Sequence, residues 1–179
     1  ACEDIDVVFH NVAQVPLAKD KKLFDSVNNL GTKNILNASS ELGVKKIIYT
    51  SSSAVYGIPL INPVNEEMKP KPMESYGQAK YDGEKLCREY ISDKLDVIII
   101  RPRTILGHGR LGIFQILFEW IKNGKNIPVL GKGNNIYQFI HADDLADVII
   151  LSSDPSVSSG SYNCGSEQYL TMRETLENL

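Results

Sequence analysis

Lys46-Ile47-Ile48-Tyr49-Thr50-Ser51-Ser52-Ser53-Ala54-Val55-Tyr56-Gly57 is the stretch from which the rest of the chain can be read. Its first five residues form a short β-branched and aromatic run, which reads as a strand, and the serines that follow end the run in a turn. Upstream, Lys21 to Leu42 places Leu23, Val27, Leu30, Ile35 and Leu42 at roughly helical spacing and closes on Gly43, while Asp6-Val7-Val8-Phe9-His10 reads as an earlier strand. Downstream, a loop with Pro59, Pro63, Pro70 and Pro72 leads to a helix predicted over Ser75 to Ser92, with Ala79, Gly83, Leu86, Cys87 and Tyr90 on one stripe. Asp96 to Arg101 follows, and its run Val97-Ile98-Ile99-Ile100 is that of a strand covered on both faces. Strands alternating with helices in this way are βαβ units, so the class is α/β around a parallel sheet.

After Pro102 the alternation loosens into what reads as a separate lobe. A glycine-containing loop precedes a helix over Ile113 to Lys122, and short strands are predicted at Ile127 to Leu130 and Gln138 to His141. Asp143 or Asp144 can cap a helix running through Leu151, Ser161 to Cys164 is extended, and Thr171-Met172-Arg173-Glu174 is a capping box for a last helix.

The 179 residues suit one domain, and 19 Lys and Arg against 22 Asp and Glu leave a net charge of −3, which offers no basic surface for a nucleic-acid backbone. Apolar runs stop at four residues, Val97 to Ile100 and Val148 to Leu151, far short of the roughly 20 of a membrane helix. Ala1 to Asp4 lacks the pattern of a signal peptide, and Cys2, Cys87 and Cys164 are odd in number and spaced unlike metal ligands. These features predict a cytoplasmic protein with no metal site, no membrane segment and no nucleic-acid partner, its cysteines being small, part-buried side chains.

The chemistry concentrates in an ordered pair of motifs: the serine-rich strand end, then Tyr76-Gly77-Gln78-Ala79-Lys80 opening a helix. Positions four apart share a helix face, so Tyr76 and Lys80 can both point beyond the carboxyl ends of the strands, where open α/β sheets bind ligands. A tyrosine with a reference pKa of about 10 is a poor base at neutral pH, and an adjacent ammonium can lower that value. A serine hydroxyl beside it could orient a substrate alcohol or carbonyl.

With these residues in this order the chain resembles the extended short-chain dehydrogenase/reductase superfamily, in particular the NAD-dependent epimerase/dehydratase family. The resemblance covers nearly the whole chain. It rests on Asp6 to Ala13, Val27-Asn28 with Gly31-Thr32, Gly43 to Gly57, Tyr76 to Lys80, Arg101-Pro102, Phe139-Ile140-His141 with Asp143 to Ala146, and Tyr162-Asn163 with Gly165-Ser166. It implies a Rossmann-type doubly wound parallel sheet, entered at its fourth strand, with a small α/β substrate lobe. Residues 1–101 would be part of an NAD(P)-binding domain, and residues 102–179 would mix lobe segments with returning Rossmann elements.

The resemblance also implies roles. Tyr76 would be the acid/base, Lys80 would hold the nicotinamide ribose and tune Tyr76, and Ser52, four residues before Tyr56, would bind the reacting oxygen. His10, Asn11, Val12 and Ala13 would form the turn passing NAD or NADP, Asn28 would be the family's helix asparagine, and Thr50, Ser51, Arg101 and Pro102 would complete the cofactor side. Ser53, Arg103, Thr104 and Tyr137 would face the substrate, a nucleotide sugar or an apolar alcohol or ketone; homodimers would use the helices at Lys21 to Leu42 and Ser75 to Ser92.

Departures from the family pattern bear on both ligands. The glycine-rich phosphate loop and its ribose selector have no counterpart, some 60 to 80 residues at about 30 per βαβ unit. The chain therefore reads either as an internal fragment or as part of a longer enzyme, and the choice of NAD or NADP rests with the missing selector. Ser53 and Ala54 stand where 4,6-dehydratases carry Asp and Glu, which disfavours dehydration. Thr104 and Tyr137 stand where sugar-nucleotide epimerases commonly carry Asn and Arg, and the Arg101-Pro102 and Ile105-Leu106-Gly107 pattern also looks like the 3β-hydroxysteroid dehydrogenase branch. Arg103 and Arg110 could take over anion binding, and Phe118 and Trp120 could line an apolar pocket or pack in the core.

Overall fold

The computed structural model describes residues 2–14, 21–92, 94–108, 113–129 and 131–178; Arg110 lies outside them. In chain order the elements are β1 (Val7–His10), α1 (Lys21–Asp25), α2 (Thr32–Glu41), β2 (Lys46–Thr50), α3 (Ser75–Glu89), β3 (Asp96–Pro102), β4 (Thr104–Leu106), α4 (Ile113–Lys122), β5 (Ile136–Tyr137), β6 (Phe139–His141), α5 (Ala142–Leu151), β7 (Gly160–Cys164), β8 (Leu170–Thr171) and α6 (Met172–Glu177). They form two compact units, Ala1–Pro102 with Val148–Asn163, and Arg103–Asp147 with Cys164–Leu179.

The first unit is built on a four-stranded sheet of order β1-β2-β3-β7, of the α/β class that the strand and helix periods predict and of the Rossmann type that the resemblance implies. β1 and β2 run parallel with Val7 opposite Lys46, and β2 and β3 run parallel with Thr50 opposite Ile100. This register brings the carboxyl ends of all three strands to one edge. Ile47, Tyr49, Val97 and Ile99 pack with Leu36, Val44, Cys87 and Leu95 into one core cluster. The intervening Ile48, Ile98 and Ile100 are also buried, so β2 and β3 are covered on both faces.

The helix predicted over Lys21 to Leu42 is interrupted. A wider π-helical turn over Ser26–Gly31 separates α1 from α2, with Asn28 as its buried residue. Thr32 donates its hydroxyl to the Asn28 carbonyl at 2.7 Å, which occupies an acceptor in the widened turn. α2 ends where expected: Gly43 takes a φ of +75° and the Val44 N–H donates to the Ser39 carbonyl. α3 stops at Glu89, short of Ser92, because the chain folds back there and Ser92 and Leu95 exchange backbone hydrogen bonds.

α3 lies directly on the strand that carries the serines. A Cβ on Gly83 would come within 2.3 Å of the Tyr49 hydroxyl, and one on Gly77 within 2.6 Å of the Ala54 carbonyl oxygen. Both glycines are there for proximity. The three cysteines are buried and unpaired.

In the second unit the strand predicted over Gln138 to His141 forms as β6 from Phe139, and a further short strand, β5, precedes it in a different small sheet. β5 pairs antiparallel with β8 and β6 pairs parallel with β4, while Gln138 between them donates its side chain to the Ser166 carbonyl at 2.6 Å. Ile127–Val129 forms no strand; Pro128 has no N–H to offer a ladder. The cap of α5 is His141, whose Nδ1 accepts the Asp143 N–H at 3.3 Å, so Asp143 and Asp144 sit inside the first turn. Thr171 and Glu174 form the predicted capping box.

Candidate active site

The parallel register puts three side-chain clusters at the carboxyl edge of the first unit. Ser52, extended at φ −162°, opens a 3₁₀ turn over Ser53–Tyr56, and its hydroxyl accepts the Ala54 N–H at 3.2 Å. Tyr76 enters from the first turn of α3, near enough to the Ser52 hydroxyl for that hydroxyl to favour its ionised form. Lys80, one turn later and 3% exposed, donates to the Thr50 carbonyl at 2.7 Å and lies 5.1 Å from the centre of the Tyr49 ring. Ser52, Tyr76 and Lys80 are thus gathered around the end of β2.

The electrostatics follow from burial. Desolvation pulls Lys80 down to about 8, opposed in part by the negative charge of Glu84. Tyr76 is raised rather than lowered: burial is the larger influence, and the Ser52 hydroxyl works against it. The expected lowering by Lys80 is not among the influences on Tyr76, and the ammonium is instead bonded to the Thr50 carbonyl.

The turn after β1 is tied to the same edge. Thr50 donates its hydroxyl to Asn11 Oδ1 at 2.5 Å, and Asn28 Oδ1 accepts the Gln14 N–H at 3.0 Å. Asn11 and Val12 are exposed and Ala13 is half-buried. Asn28 Nδ2 is buried and has no partner among the described residues. His10 is buried, with Nε2 3.0 Å from the Thr32 hydroxyl, and burial together with the Lys80 charge holds it at about 4.

Beneath this edge lies a network that sequence reasoning did not assemble. Glu84, 0% exposed, accepts Arg101 through both oxygens at 2.8 and 2.7 Å, the Ser51 hydroxyl at 2.6 Å and Arg88 at 3.0 Å. Arg101 also donates to the Tyr56 hydroxyl at 2.6 Å, and Tyr56 donates to Asn163 at 2.9 Å. Ser51 and Arg101 therefore spend their side chains on Glu84, and Pro102 is buried at the end of β3. Burial would raise the Glu84 carboxyl, but hydrogen bonds from Arg101 and Ser51 and the charges of Arg101 and Arg88 hold it below the usual value. The signal for Glu84 was present, one turn beyond Lys80 on the helix face that carries Cys87.

Arg103, Thr104 and Tyr137 belong to the second unit. Thr104 donates to the Tyr137 hydroxyl at 3.1 Å, and the Arg103 N–H donates to the Cys164 carbonyl at 2.8 Å. The Tyr137 ring packs with Phe139 and Phe114, centroids 5.0 and 5.8 Å away. Ser53, in the first unit, is half-buried, as are Phe118 and Trp120 on α4. No metal-binding cluster and no helix long and apolar enough to cross a membrane occur among the described residues.

Known proteins resemble this chain in sequence and fold. The chain is 55% identical over 178 residues to the uncharacterized protein y4nG of Sinorhizobium fredii, covering 99% of this chain and 45% of that protein. It is 30% identical over 179 residues to a UDP-glucose 4-epimerase of Mycolicibacterium smegmatis, covering 94% and 57% respectively. The UDP-glucuronic acid 4-epimerase of Bacillus cereus, solved in complex with NAD, superposes with a TM-score of 0.84 at 27% identity over 98% of this chain and 60% of its own. The chain spans about half the length of the curated relatives it matches. With the family model matching residues 1–165, the chain belongs to the NAD-dependent epimerase/dehydratase family.

Proposed function

We propose that the protein moves a hydride between a secondary alcohol or ketone and a nicotinamide cofactor, NAD or NADP, and that its substrate is a nucleotide sugar epimerised by oxidation and re-reduction. One observation carries this reading: Ser52 and Tyr76 lie close enough for the serine to favour the ionised form of the tyrosine, one helical turn from Lys80, which is bonded to the Thr50 carbonyl at the carboxyl edge of a Rossmann-type sheet. The residues fit the ribose end of a dinucleotide, since an ammonium has three protons and the Thr50 carbonyl takes one. The unpartnered Asn28 amide beside the turn after β1 is a further donor. A bound cofactor supplies the hydride acceptor.

The chain's own groups handle the oxygen and its proton. Ser52 holds the reacting oxygen by hydrogen bonding, and Tyr76 takes the hydroxyl proton on oxidation and returns it on reduction. Lys80 positions the ribose hydroxyls, and its charge favours the phenolate of Tyr76 once a ligand excludes water. A homodimer accords with this reading, with Leu23 and Leu30 exposed on the helical run that precedes β2.

The test is conversion of UDP-glucose by the protein in its natural chain context with NAD, followed by NMR of the sugar C4 proton. Epimer forms with the native protein, and Tyr76→Phe abolishes it; epimer formation at the native rate by Tyr76→Phe refutes the assignment. The aromatic packing of Tyr137, where epimerases commonly carry Arg, favours a second reading, a dehydrogenase of apolar alcohols. That reading requires net NADH release from a 3β-hydroxysteroid, which an epimerase does not give.

A further inference from the structure

The ion-pair network under the candidate active site joins elements that the chemistry must hold in register. Ser51, the residue before Ser52, is fixed twice: its N–H donates to the Ile100 carbonyl at 2.7 Å and its hydroxyl donates to Glu84 at 2.6 Å. Glu84 belongs to α3, one turn beyond Lys80, and Arg101 belongs to β3. One carboxylate therefore ties the strand end carrying Ser52 to the helix carrying Tyr76 and Lys80 and to the adjacent strand. Gly77 and Gly83 let the same helix approach closely enough for this to occur.

We propose that Glu84 is a positioning residue of this site, acting through Ser51 to hold Ser52 in place beside Tyr76. The inference rests on the proposed reading of Ser52, Tyr76 and Lys80 and extends it to a group that touches neither substrate nor cofactor. A structural ion pair between Glu84 and Arg101 could take its third donor from any neighbouring group; here the donor is the residue that adjoins Ser52. Ser51 makes the difference: its hydroxyl, bound to the carboxylate at a distance typical of a charge-assisted hydrogen bond, helps keep Glu84 ionised and at the same time ties the residue beside Ser52 to α3.

Glu84 also faces Lys80. The groups around that ammonium are Thr50 and Tyr49 from β2, His10 from β1, and Glu84 and Cys87 from α3. Those around Glu84 are Ser51, Arg101, Arg88, Cys87, Tyr49 and Lys80. Removing the Glu84 charge takes away an influence that raises Lys80.

Ser51→Ala tests the positioning step because it leaves the ion pair intact and the fold with it. Expected is a roughly tenfold fall in kcat with KM for cofactor and substrate within twofold of native, since a small displacement of a reacting group acts on the transition state. Ser51→Thr, which restores the hydroxyl, recovers most of the rate. An unchanged kcat in Ser51→Ala overturns the proposal, and so does a raised cofactor KM at native kcat, which would make Ser51 a cofactor ligand. In Glu84→Gln, shown to be folded by near-UV circular dichroism, the NMR-detected titration of Lys80 moves below its native midpoint; an unmoved midpoint also counts against the proposal. A native protein inactive on every alcohol and sugar tried would instead sink the reading of the site itself, leaving the Lys80 titration as the separate readout.

Discussion

His10 gives a pH dependence whose size can be worked from its surroundings. Thr32 gives its hydroxyl proton to the Asn28 carbonyl, so it accepts from His10 Nε2–H, which fixes the neutral tautomer with Nδ1 unprotonated. A second proton must then enter a buried ring that already faces the Lys80 charge, and the folded pKa falls from 6.5 to about 4. Between those two values the unfolded chain binds a proton that the folded chain does not, so stability is complete above pH 6.5 and is lost as the pH falls. At about 1.4 kcal/mol per unit, the loss attributable to His10 reaches about 3 kcal/mol near pH 4. The assay is urea denaturation of the native protein and of His10→Gln, which keeps a donor for Thr32, at half-unit steps from pH 4 to 8. Subtracting the two curves cancels the carboxylates they share. The difference should be flat above pH 7 and change by about 3 kcal/mol toward pH 4, in favour of the variant; a pH-independent difference refutes the argument.

Lys80, followed through its Cε resonance, should titrate at about 8 instead of 10.5, and stability relative to Lys80→Met should rise between those values because only the unfolded chain holds the proton there; a midpoint near 10.5 contradicts this. Gly83→Ala places a Cβ 2.3 Å from the hydroxyl of buried Tyr49 and should cost roughly 1 to 3 kcal/mol in chemical denaturation; a neutral effect would show that α3 is not held against β2. Thr171→Ala removes the cap hydrogen bonds of α6 and should cost about 1 kcal/mol, read as lost amide-exchange protection in residues 172–177; unchanged protection would mean that packing alone holds the helix.

Much of the first unit was legible because its strands are nearly pure apolar runs. Ile47 to Tyr49 and Val97 to Ile100 are hydrophobic on both faces, and that pattern fits only a strand between two covering layers. Local stops were equally clear, since Gly43 and the Thr171 box act through bonds within a few residues of themselves. The lobe was harder. A strand pattern over Gln138 to His141 does not say that Tyr137 and Phe139 pair with different partners, and a run containing Pro128 can look extended without joining a sheet.

The sequence by itself determined the class, the order of strands and helices in the first unit, and the serine, tyrosine and lysine that meet at the sheet edge, because period, turn chemistry and residue type are properties of short stretches. Only the tertiary structure decided which polar groups spend their charge on one another. Glu84 with Arg101 and Ser51, and His10 with Thr32, are separated by between 17 and 33 positions, so although Glu84 falls on a legible helix face, no local pattern says which groups it pairs with. Their partners are fixed by the packing of a helix on a parallel sheet, and burial then decides which side chains stay charged.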